Sequence, residues 1–442
     1  MDDHRNKTLR RREFVEGGVG AALALTATSG FSILSANPEP EPVRVGFIGT
    51  GNRGRSLLNT LLALPGIKVP ALCDIDPEAI VKAKAILKEA EQPEPEAYTE
   101  NETIYQKLLE REDLDAVLIA TPWNWHTPMA VDTMKAGKYA GVEVPAALSV
   151  EECWQLVDTH EETGVPCMML ENWSFRRDNL AVLNMVRKGM FGEIVHCHCA
   201  HSHDCVDHWF FDREGNMRWG ADFLIKYNRD QYPTHSQGPV LSWLDINRGD
   251  AYATLTSVAT ASKGINDSFV RRFGPDHPNA KRQYKQGDIV TSFVRTQMGK
   301  TIVINYDMQL PRPYDNRWML QGTRGVYNEQ RNSLYLVDRS PEYHEWESFE
   351  PYQKEFEHPW WKAILEESEK FGHGGTDYLE LKMFIQAVRE KTQTPIDVYD
   401  SATMSSVVGL SGESIANGSM PVECPDFTRG RWKTRKPAFA VT

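Results

Sequence analysis

The sequence predicts two folding units in tandem. The first is an N-terminal α/β unit, a doubly wound parallel sheet with helices on both faces. The second is a C-terminal α+β unit, a mainly antiparallel sheet faced by helices. Three observations carry this. Up to about residue 170, short apolar runs alternate with helical patterns, the order that parallel strands and crossover helices require. Beyond it the apolar runs lengthen, and Gly299 and Lys300 sit between two of them where a hairpin turn belongs. The 442 residues also exceed the roughly 250–300 that one hydrophobic core serves.

Residues 1–36 stand apart. Arg10, Arg11 and Arg12 precede Glu13 and Phe14, an apolar Gly/Ala-rich run follows over 19–34, and Pro38, Pro40 and Pro42 mark a linker. A basic head, an apolar middle and a polar exit describe an export signal, and the Arg11-Arg12-x-Phe spacing resembles the twin-arginine type. The expected location is outside the cytosol, in the periplasm. The apolar run is marginal for a span, which needs about 20 residues, so the one membrane attachment expected is an N-terminal anchor. The net charge of −12 leaves no basic footprint for nucleic acid. Seven cysteines are too few for a disulfide framework in a chain of this size.

Within residues 37–170, the run from Val43 to Ile48 reads as a buried strand. Gly49, Gly51 and Gly54 follow in a G-x-G-x-x-G turn, with a helical pattern over 56–64 and a second strand over 67–73 ending on Asp74. This is the context a Rossmann dinucleotide fingerprint requires. Gly49 allows the tight turn, Gly51 lets the backbone approach a pyrophosphate, Gly54 packs helix on strand, and Asp74 would accept from a ribose hydroxyl. The acid favours NAD over NADP. A helix is expected over 77–90, a strand over 114–120, and a helix capped by Ser149 and Glu152. Trp123, Asn124, Trp125 and His126 follow a strand's carboxyl end, where open parallel sheets bind ligands, and Glu143 and Val144 end the next strand.

Within residues 171–442, strands are expected over 194–200, 253–261, 289–297 and 301–308, helix over 360–390, and a mixed tail from 396 that packs back on the body. An exposed face of this sheet would suit a homo-oligomer. Tyr232 and His235 lie in a Tyr-Pro-Thr-His string, and an imidazole there could take a proton from a hydroxyl as its hydride leaves. Tyr314, after Arg312 and Pro313, is a second loop candidate. His196, Cys197, His198, Cys199, His201, His203 and Cys205 cluster in sequence, and His196 and His198 would share a strand face. Their spacing matches no closed zinc pattern, so no metal is expected.

Together these residues resemble the Gfo/Idh/MocA oxidoreductases, and within them glycoside hydrolase family 109, described as alpha-N-acetylgalactosaminidases. The likeness covers nearly everything after the signal. It rests on Gly49 to Gly54, Trp123 to His126, Glu143-Val144, Glu171-Asn172, Arg176-Arg177-Asp178, Tyr232 to His235, Arg312-Pro313-Tyr314 and His373-Gly374-Gly375. It implies NAD held by Asn52, Arg53, Asp74, Trp123, Asn124, Trp125, His126, Glu143, Val144 and Asn172. It also implies a glycoside contacted by Tyr232, His235 and Tyr314, with His235 as acid/base at oxygen 3. The implied reaction oxidises carbon 3 of the sugar, removes the proton at carbon 2, expels the aglycone, adds water and reduces carbon 3 again. Paired carboxylates are not required, unlike in ordinary glycosidases. Many superfamily members carry Lys after the Glu of Glu143-Val144-Pro145; Val144 follows the glycosidase branch.

Two departures stand out. The family's Tyr before Arg-Arg-Asp, its base for carbon 2, is Phe175 here; either another residue replaces it, with His203 and Tyr227 as candidates, or the elimination step is altered or absent. The stretch from 206 to 231 also departs from the family pattern. An NAD-dependent dehydrogenase forming 3-keto-glycosides is the alternative function, and a sugar-binding protein without activity is a third. Net NADH formation with substrate would mark the second, and hydrolysis without it the first.

Overall fold

The computed structural model describes residues 41–365 and 371–441. The export signal read over 1–36 lies outside the described residues. From Pro42 on, the chain forms one compact unit built on two sheets.

The first sheet contains β1 (Val43–Ile48), β2 (Ile67–Cys73), β3 (Glu96–Tyr98), β4 (Ala116–Ile119), β5 (Tyr139–Val142) and β6 (Cys167–Met169), all parallel, in the order β3-β2-β1-β4-β5-β6. Its central strands are continuous apolar runs because both faces are covered: Val45, Phe47, Val117 and Leu118 are fully buried. After β1 the chain turns at Gly49, with φ +88; a Cβ there would lie 2.5 Å from the Ala120 carbonyl oxygen. The next helix begins at Asn52, earlier than the apolar pattern indicates, because its first turn is polar and faces the crevice. Asp76 caps helix Pro77–Glu89 through the Glu78 N–H, with Pro77 in its first turn. Ser149 caps helix Val150–Thr163 as expected, while the Glu152 carboxylate reaches back to the Leu148 N–H at 2.6 Å.

The second sheet holds β7 (Ile194–Ser202), β8 (Tyr252–Ala259), β9 (Ile289–Thr296), β10 (Thr301–Asp307), β11 (Met319–Gly322), β12 (Gly325–Asn328), β13 (Ser333–Leu336), β14 (Glu347–Ser348) and β15 (Val422–Glu423). Its order is β14-β13-β12-β11-β7-β10-β9-β8-β15. Every pair is antiparallel except β7 with β10. The β9–β10 hairpin turns at Gly299, φ +86, as its sequence indicates. One face packs on helices, while Val258, Phe293 and Arg295 stand exposed on the other.

The helical reading over 360–390 is corrected in part. Helix Pro359–Lys362 and helix Thr376–Glu390 are separate, and His373 and Gly374 take positive φ ahead of the latter. The tail does pack back. Helix Val398–Ala416 lies against helix Val150–Thr163 and β8, β15 extends the second sheet, and the Phe439 and Ala440 carbonyls accept from Arg187. Six of the seven cysteines are buried and all are free. Among the described residues no helix is long and apolar enough to cross a membrane.

Candidate active site

Strand order reverses between β1 and β4, and their carboxyl ends open a cleft of about 710 Å³. Gly49, Gly51, Asn52, Arg53 and Asp74 line it from the first two turns. Trp123, Asn124, Trp125 and His126 line it after β4, and Glu143 and Val144 after β5. At Gly51 an added Cβ would meet nothing within 4 Å, so this turn faces open space. Gly54 does not line the cleft; a Cβ there would sit 2.0 Å from the Gly49 oxygen, which fits its expected packing role. Asp74 receives the Thr50 N–H at 2.6 Å, the Thr50 hydroxyl at 3.1 Å and the Asp76 N–H at 2.9 Å. A carboxylate has about four lone-pair sites, so acceptor capacity remains for a ribose hydroxyl. An open turn at a helix N-terminus with an acid at the end of β2 fits an NAD dinucleotide.

Two expected cofactor residues behave differently. Asn172 is buried away from the cleft wall, donating its amide to Asp377 at 2.7 Å. His126 lines the cleft, but both ring nitrogens lie 2.8 Å from the carbonyl oxygens of Pro145 and Thr121. Burial holds its pKa below the usual value despite those carbonyls. It shapes the loop after β4.

Arg53 ties the turn after β5 to helix Thr376–Glu390. Its Nε donates to Glu143 at 2.5 Å and its Nη1 to Asp377 at 2.7 Å. His373, at the kink, also meets Asp377, 3.0 Å away.

Tyr232 lines the cleft's edge, and His235 and Tyr314 lie close beyond it. His235, in the first turn of helix Thr234–Trp243, places Nδ1 2.8 Å from Glu171 and Nε2 3.2 Å from the Tyr232 hydroxyl. The Glu171 carboxylate is fully buried and also receives the N–H groups of Trp173 and Ser174. With the Nδ1 proton held on Glu171, Nε2 presents its lone pair. Burial raises the Tyr232 and Tyr314 pKa values far above the ordinary phenol value, so both stay protonated. The Tyr314 oxygen accepts from Trp173 Nε1 at 2.6 Å and from Asn316, which leaves its own proton for an incoming oxygen. His201 packs among Tyr232, His235 and Tyr314, and burial holds it neutral.

A family model described as "Glycosyl hydrolase 109, C-terminal domain" matches residues 175–434, and one described as "Oxidoreductase family, NAD-binding Rossmann fold" matches residues 43–171. The alpha-N-acetylgalactosaminidase of Tannerella forsythia is 42% identical over 417 residues, spanning 90% of this chain and 89% of that protein. The alpha-N-acetylgalactosaminidase of Shewanella oneidensis is 40% identical over 456 residues, spanning 99% of each. This chain belongs to glycoside hydrolase family 109. Its cofactor is NAD, and it is an NAD-dependent glycosidase. The family 109 fold is shared with a solved levoglucosan dehydrogenase in complex with NADH and L-sorbose. That match has a TM-score of 0.66 and 18% identity, and covers 87% of this chain and 100% of that one. A myo-inositol dehydrogenase from Lactobacillus casei, with NAD(H) and myo-inositol, gives a TM-score of 0.58 at 16% identity, covering 87% and 99%.

Against the family pattern, Phe175 is a core residue. It is fully buried, stacked on Trp360 and edge-on to Phe439, and turns no group toward the cleft. Of the two replacements considered, Tyr227 packs on Phe223 and under the Arg229 guanidinium. His203 lies with its ring 4.9 Å from that of Tyr314. His196 and His198 share a strand face, but their rings hydrogen-bond Thr301 and Asn305.

Glu171 carries no role readable from the sequence alone. No sequence motif singles out Asp377, or His208, Trp209, Arg218 and Trp219 at the cleft. Trp209, Trp219 and Phe223 gather around Trp123, with ring centroids 5.1–5.6 Å away. The available signal is the aromatic density of the segment from 206 to 231.

Proposed function

We propose that this family 109 enzyme cleaves glycosides by transient oxidation of the sugar at carbon 3. The supporting observation is the Tyr232–His235–Glu171 chain of hydrogen bonds beside the cleft. NAD, when bound, accepts a hydride from carbon 3 and later returns it. The chain's own residues move protons. His235 Nε2 takes the proton of the oxygen-3 hydroxyl, and Glu171 steadies the imidazolium that forms. The Tyr314 hydroxyl donates to a sugar oxygen. With carbon 3 a ketone, the carbon-2 proton is acidic; its removal expels the aglycone from carbon 1, water adds there, and carbon 2 is reprotonated. The relatives named for alpha-N-acetylgalactosamine make that sugar the first candidate. The aromatic wall of Trp123, Trp209 and Trp219 is suited to an apolar sugar face or aglycone.

The experiment incubates the NAD-loaded enzyme with alpha- and beta-nitrophenyl glycosides in deuterated water and weighs the released sugar. Nitrophenol with one deuterium fixed at carbon 2 is the expected outcome. A keto-glycoside with stoichiometric NADH and no nitrophenol would establish the second reading, a 3-dehydrogenase, which the burial of Phe175 favours. Residues 1–36 support export. Fractionation of the source cells is expected to recover the enzyme with periplasmic markers, and recovery with cytosolic markers would refute that.

A further inference from the structure

Where β7 runs into the segment that departs from the family pattern, three side chains of metal-ligating type come together. The imidazole nitrogens of His203 and His208 and the Sγ of Cys205 all lie within 4.8 Å of one another. We propose that these three residues bind a single zinc ion in the wall of the substrate pocket.

The backbone holds them before any metal arrives. Just past β7, the His203 N–H donates to the Asp307 carbonyl at 2.8 Å and the Cys205 N–H to that of Met308 at 3.1 Å. The turn Val206–Phe210 is a wide one, in which the Phe210 and Phe211 N–H groups reach back five residues to the Cys205 and Val206 carbonyls. Such single wide turns recur at functional sites. This one carries His208 round to face His203, their ring centroids 5.2 Å apart.

The bonding state of the three groups separates them from most of the other described histidines, though not from His201, whose Nδ1 is buried without a partner. His126, His160, His196, His198, His235, His358 and His373 all place a ring nitrogen on a protein partner. The His203 and His208 rings and the Cys205 thiol hydrogen-bond nothing among the described residues, although Cys205 is fully buried and His203 partly so. Partly buried polar groups without partners are costly, and a shared cation would supply all three with one. A thiolate with two imidazoles is a zinc donor set, and tetrahedral bonds of about 2.0–2.3 Å place ligand atoms roughly 3.5 Å apart, so these side chains must close by up to about 1 Å. Three protein ligands leave the fourth tetrahedral position open. The site borders Tyr314 and His201. On the glycosidase reading, a zinc-bound water there, its pKa lowered to about 7, would supply hydroxide to take the carbon-2 proton and become water. That is the base that Phe175 cannot be.

The test is metal binding by the full chain, read without sugar, so that its failure and the failure of the glycosidase reading are separate results. Chelator-stripped protein is re-equilibrated with zinc and assayed by elemental analysis, then loaded with cobalt(II) as a spectroscopic probe. One zinc per chain and a thiolate-to-cobalt charge-transfer band that disappears in Cys205→Ser are expected. His208 is exposed, so His208→Ala should keep its melting temperature while its zinc affinity falls at least tenfold. His196→Ala should bind zinc as the parent does. Zinc well below one per chain, a cobalt spectrum indifferent to Cys205→Ser, or unchanged affinity in His208→Ala would each overturn the site.

Discussion

Around Arg53, two neighbouring carboxyls meet opposite fates. Asp377 is buried, which pushes its pKa up, but the Arg53 guanidinium and His373 more than offset this and hold it well below the usual carboxylate range. Glu380, one turn further along the helix, is also fully buried, and neither of its oxygens has a hydrogen-bond partner among the described residues. Burial and the charge of Asp377 push its pKa far above the ordinary value, so it is a neutral acid. Replacing it with the equally neutral amide changes little, whereas neutralising Asp377 strips a counter-ion from buried Arg53. We expect Glu380→Gln to stay within about 1 kcal/mol of the parent in urea unfolding, and Asp377→Asn to lose roughly 3 kcal/mol. Equal losses would show that Glu380 is charged.

At the scale of elements, helix Thr234–Trp243 is placed by one close approach. A Cβ on Gly238 would lie 1.8 Å from a Glu171 carboxylate oxygen and 2.7 Å from the Ser174 hydroxyl. That glycine lets the helix carrying His235 rest on the acid that orients it. Gly238→Ala must displace one or the other. The expected result is a fall in turnover of at least tenfold with NAD retention intact, measured by single-turnover glycoside oxidation and bound-cofactor content. Unchanged turnover would remove Glu171 from the mechanism. Strands β1, β2 and β4 and the glycine turn were legible in the sequence because they depend on local patterns: buried runs, a glycine at φ +88 and a cap at Ser149; the three-residue strands β3 and β6 and the Asp76 cap were not. The kink at His373 and the parallel pairing of β7 with β10 were not, since neither leaves a periodic trace. Within the site, His235 was legible through its string and its position. Its dependence on Glu171, 64 residues away, was visible only in space.

For the molecule as a whole, Asp230 sets a pH dependence of stability. It is fully buried two residues before Tyr232, one oxygen on the Tyr232 N–H and the other without a partner among the described residues. Burial raises its pKa from 3.8 to about 7, only partly countered by that N–H. Between pH 4 and 7 the folded state therefore keeps a proton that the unfolded chain has lost. The stability this group contributes is full below pH 4 and declines as pH rises, until the slope vanishes above 7. Asp230→Asn removes the slope. The stability of the variant relative to the parent is expected to rise across that window by at most about 1.4 kcal/mol per pH unit and to be flat above it, in melts from pH 4 to 8. A constant offset would mean that Asp230 is ionised throughout.

The contact of Arg53 with Asp377 joins residues 324 positions apart in the chain. During synthesis, the glycine turn and its first helix leave the ribosome long before helix Thr376–Glu390 does, so the nucleotide-binding half emerges with one wall of its arginine cage missing. The cage closes only when helix Thr376–Glu390 has been released and folded. A product truncated before helix Thr376–Glu390 therefore carries the nucleotide fingerprint without the carboxylate that holds Arg53.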